Sequence, residues 1–363
     1  MDQIQIAWWR IYNLGLIGAS FDSPEETLRW LGAVQSQDYR PATWSLAHRS
    51  DGVDHAHIDQ LVDDGQILRT HVLRPTWHFV HRDDLRLLLQ VTSPRVQVAM
   101  RARYKTHGID EALCDQCNQH IVDALSGANH LTRPEIGQLL REKGIDLNTP
   151  QLNCVVINAE LEGIICSGRP RGKDQTYALL DERAPKKDEI DPDEALAEFT
   201  RRYFTSHGPA TIQDFRAWGS LTVAHIRRGI DLLGNDIASF EQDGLTYFYA
   251  HEPPASLPES PHVRLLQRFD EYLSGYLESR NVIDLAGRYS DLNPDRMSGG
   301  PLIIDSQLAG HWHRNVSGTK VKLKIQHHEQ LDDRTKSAIE AEAERYGAFL
   351  GLEETVQYNP PPT

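Results

Sequence analysis

The chain has 363 residues, 39% of them apolar and 25% charged, with a formal net charge of -14. That length supports several hydrophobic cores, and the composition argues against disorder. The acidic balance argues against nonspecific attraction of the whole surface to nucleic acid or anionic membrane, so any DNA-binding face has to be a local patch.

Four cysteines in such a length argue against a disulfide framework and for a reducing compartment, the cytoplasm by default. The opening IAWWRIYNLGLIGA is interrupted by Arg10 and Asn13 and lacks a basic leader. No later apolar run approaches the roughly 20 residues of a membrane span. A soluble, unexported protein is expected.

In chain order, IQIAWWRIY reads as a helix, followed by SPEETLRWLGAV capped by Ser23 and Glu26, then DHAHIDQLVDDG, then strands ILRTHVL and TWHFV around Arg74 and Pro75. LTRPEIGQLLREKG has Thr132 as N-cap, Pro134 in the first turn, Glu135 closing a capping box and Gly144 past its end. Thr149 and Pro150 start a second helix, which Gly163 ends, and IICS and TYALL flank the loop GRPRGKDQ as a hairpin. The charged, proline-containing DERAPKKDEIDPDE is the best candidate linker. Beyond it, DPDEALAEFTRRYF leads into GPATIQDFRAW, boxed by Thr211 and Asp214 and closed by Gly219. LTVAHIRRGIDLL then ends at Gly234, and IASFE and LTYFY pair across the turn QDG. The same order of helices and hairpin occurs three times, which predicts an α+β, mostly α, fold of three tandem winged-helix units with a C-terminal β-rich α+β part. Boundaries are expected at 1–100, 101–182, 190–255 and 262–363. The last part holds RFDEYLSGY, a hairpin from PLIIDSQLAGHWHR to KVKLKIQ, and the helix RTKSAIEAEAERYGAFL.

The stretch LGAVQSQDY raises a chemical question. If the preceding helix continued, Gln35 and Gln37 would lie about 200° apart around its axis. If the chain becomes extended after Val34, positions two apart face the same way and the two amides converge. Such a pair offers two carbonyl acceptors and four N–H donors. It can orient a water or grip a base edge, but it cannot abstract a proton at neutral pH. The competing reading is that both glutamines only bond backbone at a helix end.

The strings GAVQSQDYRPATWSLAHR, LRTHVLRPTWHFV, GRPRGKDQTYALLDE, HGPATIQDFRAWGSLT and RFDEYLSGY resemble those of the AlkZ/YcaQ-like winged-helix DNA glycosylases, over most of the chain. The resemblance implies a bacterial enzyme that hydrolyses the N-glycosidic bond of alkylated purines, N7-alkylguanine in interstrand crosslinks included. It implies a motif of glutamine, an aliphatic residue, then glutamine in one branch or aspartate in the other. Gln35 and Gln37 match the outer positions of the first branch as catalytic residues, and Ser36 replaces the aliphatic one.

RTHVLRPTWHFV offers Arg74, Thr76 and His78 as residues lining a lesion pocket or meeting phosphate; the alternative is that they are hydrogen-bonded structural residues. On the wing, Arg169, Arg171 and Lys173 form the local basic patch that the acidic total demands. Cys114 and Cys117 in CDQC, and His311, His313, His327 and His328, lack the further ligands a metal site needs, so no metal and no cofactor is expected. Asp270 and Glu271 are read as capping or pairing groups, with Arg268 as a partner. The expected partner is double-stranded DNA carrying alkylated bases, met by a monomer that binds no membrane and associates with the nucleoid when acting. The alternative is a non-catalytic winged-helix DNA-binding regulator or damage sensor.

Overall fold

A computed structural model of the protein describes residues 1–18, 20–186, 190–254, 256–288 and 298–359. It is an α+β fold rich in helix. Two compact units divide the chain, one made of Met1–Ile58, Arg201–Ala217 and Leu233–Thr363, the other of Asp59–Thr200 and Trp218–Leu232. Among the described residues no helix is long and apolar enough to cross a membrane.

In the second unit the local signals operate as read. Thr132 accepts from the Glu135 backbone and Glu135 reaches back to the Thr132 N–H, which starts the helix Arg133–Glu142. Asn148 and Gln151 repeat the device at Thr149–Leu161. Leu131–Thr132, Ile165–Ser167 and Thr176–Leu179 form a three-stranded sheet with the last of them central. Ile121, Leu125, Ile136, Leu140, Val155 and Tyr177 close a core over it, in which Cys114, Cys117 and Cys154 are also packed. Burial pushes the Cys114 thiol up to about 12 and that of Cys117 to about 11, so both are inert apolar filling.

The longest helix, Leu85–His107, has Pro94 inside it and is absent from the sequence reading. A proline there removes one backbone bond at a cost of about 3 kcal/mol. Buried Leu85, Leu88, Val96 and Met100 offset that loss. Ile67–His71 and Trp77–His81 pair as the expected antiparallel hairpin. Of the linker region, residues 187–189 lie outside the described residues, and the chain is helical on both sides, at Leu180–Arg183 and Pro192–Ser206.

The first unit contains a five-stranded mixed sheet. Val263–Leu265, Gly300–Ile304, Gln307–Ser317 and Lys320–His327 are antiparallel in turn, and Glu353–Asn359 adds in parallel to Lys320–His327. The stretch read as one hairpin is therefore two, because Asp305 and Ser306 both take left-handed φ (47° and 65°) and split PLII from the following strand. The helix Asp333–Leu350 connects the parallel pair. A parallel neighbour needs a crossover, and the alternating VKLKI and EETVQY hold no turn signal that would announce it. Ala238–Gln242 and Leu245–Tyr249 pair across Asp243 and Gly244, both at positive φ (51° and 78°), as the QDG turn predicts.

Candidate active site

The helix Pro24–Leu31 starts at Ser23, whose side chain accepts from the Glu26 N–H, and stops at Gly32 with φ 80°. The stop falls three residues before the first glutamine. Val34–Gln35 is extended, and burial then alternates: Gln35 is half-buried, Ser36 buried and Gln37 exposed. Gln35 thus ends the short strand and Gln37 lies at the bend that follows, both more open than Ser36, which occupies the inward position expected of an aliphatic residue. The helix Tyr39–Ala47 begins immediately afterwards, with Asp38 at its N-cap and paired with Arg268. Below the strand, the Gln35 N–H donates to Glu271 Oε1 at 3.0 Å, and Glu271 Oε2 lies 3.4 Å from Nε2 of buried His207.

Neither Glu271 nor His207 was expected here. RFDEY does supply a cap, but from Asp270, which accepts from the Tyr272 N–H and is held by Arg49 and Ser45. Burial works against that charge, and the Arg49 guanidinium keeps the carboxyl below its ordinary range. Arg268, proposed as its partner, pairs instead with Asp38.

In the second unit, Arg74, Thr76 and His78 are brought together at the hairpin end. Arg74 Nη1 donates to the Trp218 carbonyl at 2.7 Å, and Nη2 lies 3.2 Å from His78 Nε2. His78 Nδ1 lies 2.9 Å from the Thr76 carbonyl, so its N–H donates there and Nε2 accepts from Arg74. Burial, and after it the Arg74 guanidinium, holds His78 well below its ordinary 6.5, so the ring is neutral. As pH falls below about 6.5 the unfolded chain takes up a proton that the folded one refuses, and stability declines. His78→Gln is expected to flatten that acid-side loss, measured as the urea midpoint at about pH 7.5 and 5.5; an unchanged slope would show that His78 is protonated in place.

Arg169, Arg171 and Lys173 are exposed on the loop joining Ile165–Ser167 to Thr176–Leu179. The loop is tightly built, with Arg171 and Asp174 exchanging backbone bonds of 2.9 and 3.0 Å around Gly172. Arg171 reaches both oxygens of Glu135, and this contact holds the carboxyl down to about 2.

A family model described as "DNA glycosylase AlkZ-like" matches residues 28–349. The chain belongs to the AlkZ-like DNA glycosylase family. Among curated proteins, an "Interstrand DNA cross-link repair glycosylase" of Streptomyces sahachiroi is 25% identical over 325 residues, covering 85% of this chain and 86% of that protein. Among solved structures, the Streptomyces sahachiroi DNA glycosylase AlkZ has the same fold, with a TM-score of 0.80 over 98% of this chain and 100% of that one, at 21% identity.

In an AlkZ-like glycosylase an exposed basic loop can be tested for DNA contact. Lys173→Ala and Arg171→Ala are expected to weaken binding to damaged and undamaged duplex alike, each lowering the salt slope by about one unit for every phosphate that is no longer neutralised. Arg171 should show the smaller effect, because meeting phosphate means leaving Glu135. Affinities unchanged at low salt would move the DNA path off this loop.

Proposed function

We propose that this family member hydrolyses the N-glycosidic bond of alkylated purines, the N7-alkylguanine type above all, with a water held between the Gln35 and Gln37 amides. The observation that supports the reading most is the early helix stop at Gly32, which leaves both glutamines outside any helix, each more open than Ser36 between them. An N7-alkylated guanine is cationic, so its bond to the sugar is weak before the enzyme acts, and the transition state resembles an oxocarbenium ion attacked by water. A strong base is unnecessary. Amide carbonyls accept the water's hydrogens and aim its lone pair, and their dipoles favour the cationic sugar; proximity and electrostatics together are worth several kcal/mol.

The curated relative's name speaks of interstrand crosslink repair, and we extend that substrate class to this chain. In this reading the three helix–hairpin repeats are winged helices, the basic loop at 169–173 follows the DNA backbone, and Arg74, Thr76 and His78 are a preorganised hydrogen-bonded group that meets the lesion or its phosphate. The enzyme works as a monomer in the bacterial cytoplasm. No lysine lies in the glutamine stretch or the first hairpin, so the reaction stops at base release without a Schiff-base step. Incubation with a duplex containing N7-methylguanine should release the free base. Tight binding of that duplex with no base released would establish the damage-sensor reading in its place, and a borohydride-trapped protein–DNA adduct would overturn the monofunctional one.

A further inference from the structure

Glu271 opens the four-residue helix Glu271–Ser274, yet Asp270 provides that helix's cap, and the Glu271 carboxylate is committed elsewhere. It is 1% exposed, with one oxygen on the Gln35 N–H and the other facing His207, which is fully buried. Ser206 Oγ lies 2.8 Å from both the Arg202 carbonyl and His207 Nδ1, and its single hydrogen serves one of them. If it goes to Nδ1, a neutral His207 carries its own proton on Nε2, toward Glu271. If it goes to Arg202, the ring donates from Nδ1, and only a proton between Nε2 and Glu271 keeps two acceptors from facing each other. In both arrangements a proton lies between Nε2 and the carboxylate.

The ring is fixed from other directions as well. Tyr203 stacks on it with centroids 4.9 Å apart and planes 10° from parallel. Gly275 also approaches the ring so closely that a Cβ there would lie 2.7 Å from His207 Cδ2. The local structure thus holds a proton-sharing pair rigidly against the one backbone N–H that precedes Ser36.

We propose that the His207–Glu271 pair is the positioning element of the catalytic strand, holding the Gln35 peptide so that the Gln35 and Gln37 amides meet the attacking water. This rests on the reading of Gln35 as a water-holding residue. Glu271 acts as a hydrogen-bond acceptor here, so an amide can replace it: in Glu271→Gln the carbonyl still accepts from Gln35, and the NH2 donates permanently to Nε2 of a neutral His207.

The test is single-turnover base excision on an N7-methylguanine duplex, with the Kd for the same duplex and the thermal unfolding midpoint measured in parallel. Glu271→Met should slow excision by roughly 10- to 100-fold with Kd within about threefold, and Glu271→Gln should stay within about threefold of the unmodified rate. The triple variant Gln35→Ala, Gln37→Ala, Glu271→Met should be no slower than the double variant Gln35→Ala, Gln37→Ala by more than about twofold, because the pair acts through those two amides. Should Glu271→Met not fold, His207→Phe keeps a ring against Tyr203 while withdrawing the proton, and should show the same slowing. The proposal is overturned by a Glu271→Gln as slow as Glu271→Met, by a further slowing in the triple variant, or by His207→Phe at full rate. Full activity of Gln35→Ala would have a different meaning, removing the water-holding reading itself.

Discussion

Gln37→Ala is expected to cut base excision by roughly 10- to 1000-fold while leaving duplex affinity within about threefold. Gln37 is exposed beyond a buried Ser36, so removing its amide takes nothing from a core and folding should survive. Gln35→Ala should resemble it in rate, since the backbone N–H that Glu271 accepts remains in place. Gln37→Asp should keep part of the activity, because a carboxylate also holds water and stands at that position in the other branch of the motif. Single-turnover rates on the same alkylated duplex decide the matter. Unmodified rates in both alanine variants would reduce the stretch to a helix exit and place the water elsewhere.

Asp214→Ala is expected to cost about 3–5 kcal/mol of stability, the scale for stripping one partner from a buried charge network. Asp214 is fully buried, and it completes the capping box with Thr211. The same carboxylate accepts the backbone N–H groups of Leu277, Glu278 and Ser279 at 2.8, 2.8 and 3.1 Å, and the Ser279 hydroxyl. Arg10 lies 3.8 Å away, itself buried, donating to the Pro209 carbonyl at 2.7 Å and stacked 3.9 Å over the Tyr276 ring. Alanine would strand four backbone amides, that of Thr211 included, and leave a guanidinium without its counter-charge. Urea unfolding measures the loss; a change below about 1 kcal/mol would show that water replaces the carboxylate. Asn at this position should cost less, because its carbonyl retains part of the backbone set.

The two effects differ in how far they could be foreseen. Thr211 and Asp214 were legible as a cap because a capping box is closed within four residues by one turn of helix. The additional acceptance of Leu277 to Ser279 was not, since nothing near Asp214 in the chain announces a partner 63 residues on. Cys114 and Cys117 present the reverse case: their spacing has the form of a ligand pair, and only their packing with Ile121, Ile136 and Val155 shows them as core. Arg74 and His78 are read from the sequence as pocket or phosphate contacts, or else as hydrogen-bonded structural residues. In place they bond each other and the Trp218 carbonyl, because a buried imidazole and a half-buried guanidinium must find partners.

The chain by itself determined what is settled over a turn or two: the starts at Ser23, Thr132 and Thr211, the left-handed turn at Asp243 and Gly244, and the stop at Gly32 that takes Gln35 and Gln37 out of the helix. These are decided by bonds between neighbours, where little loop-closure entropy opposes the contact. Only the tertiary structure decided that a helix would run through Pro94, that Glu353–Asn359 would join its sheet in parallel, and that Glu271, 236 residues from Gln35, would hold its backbone. Contacts at that separation depend on the burial of many other side chains at once, and a carboxylate under a strand carries no mark of it in its own sequence neighbourhood.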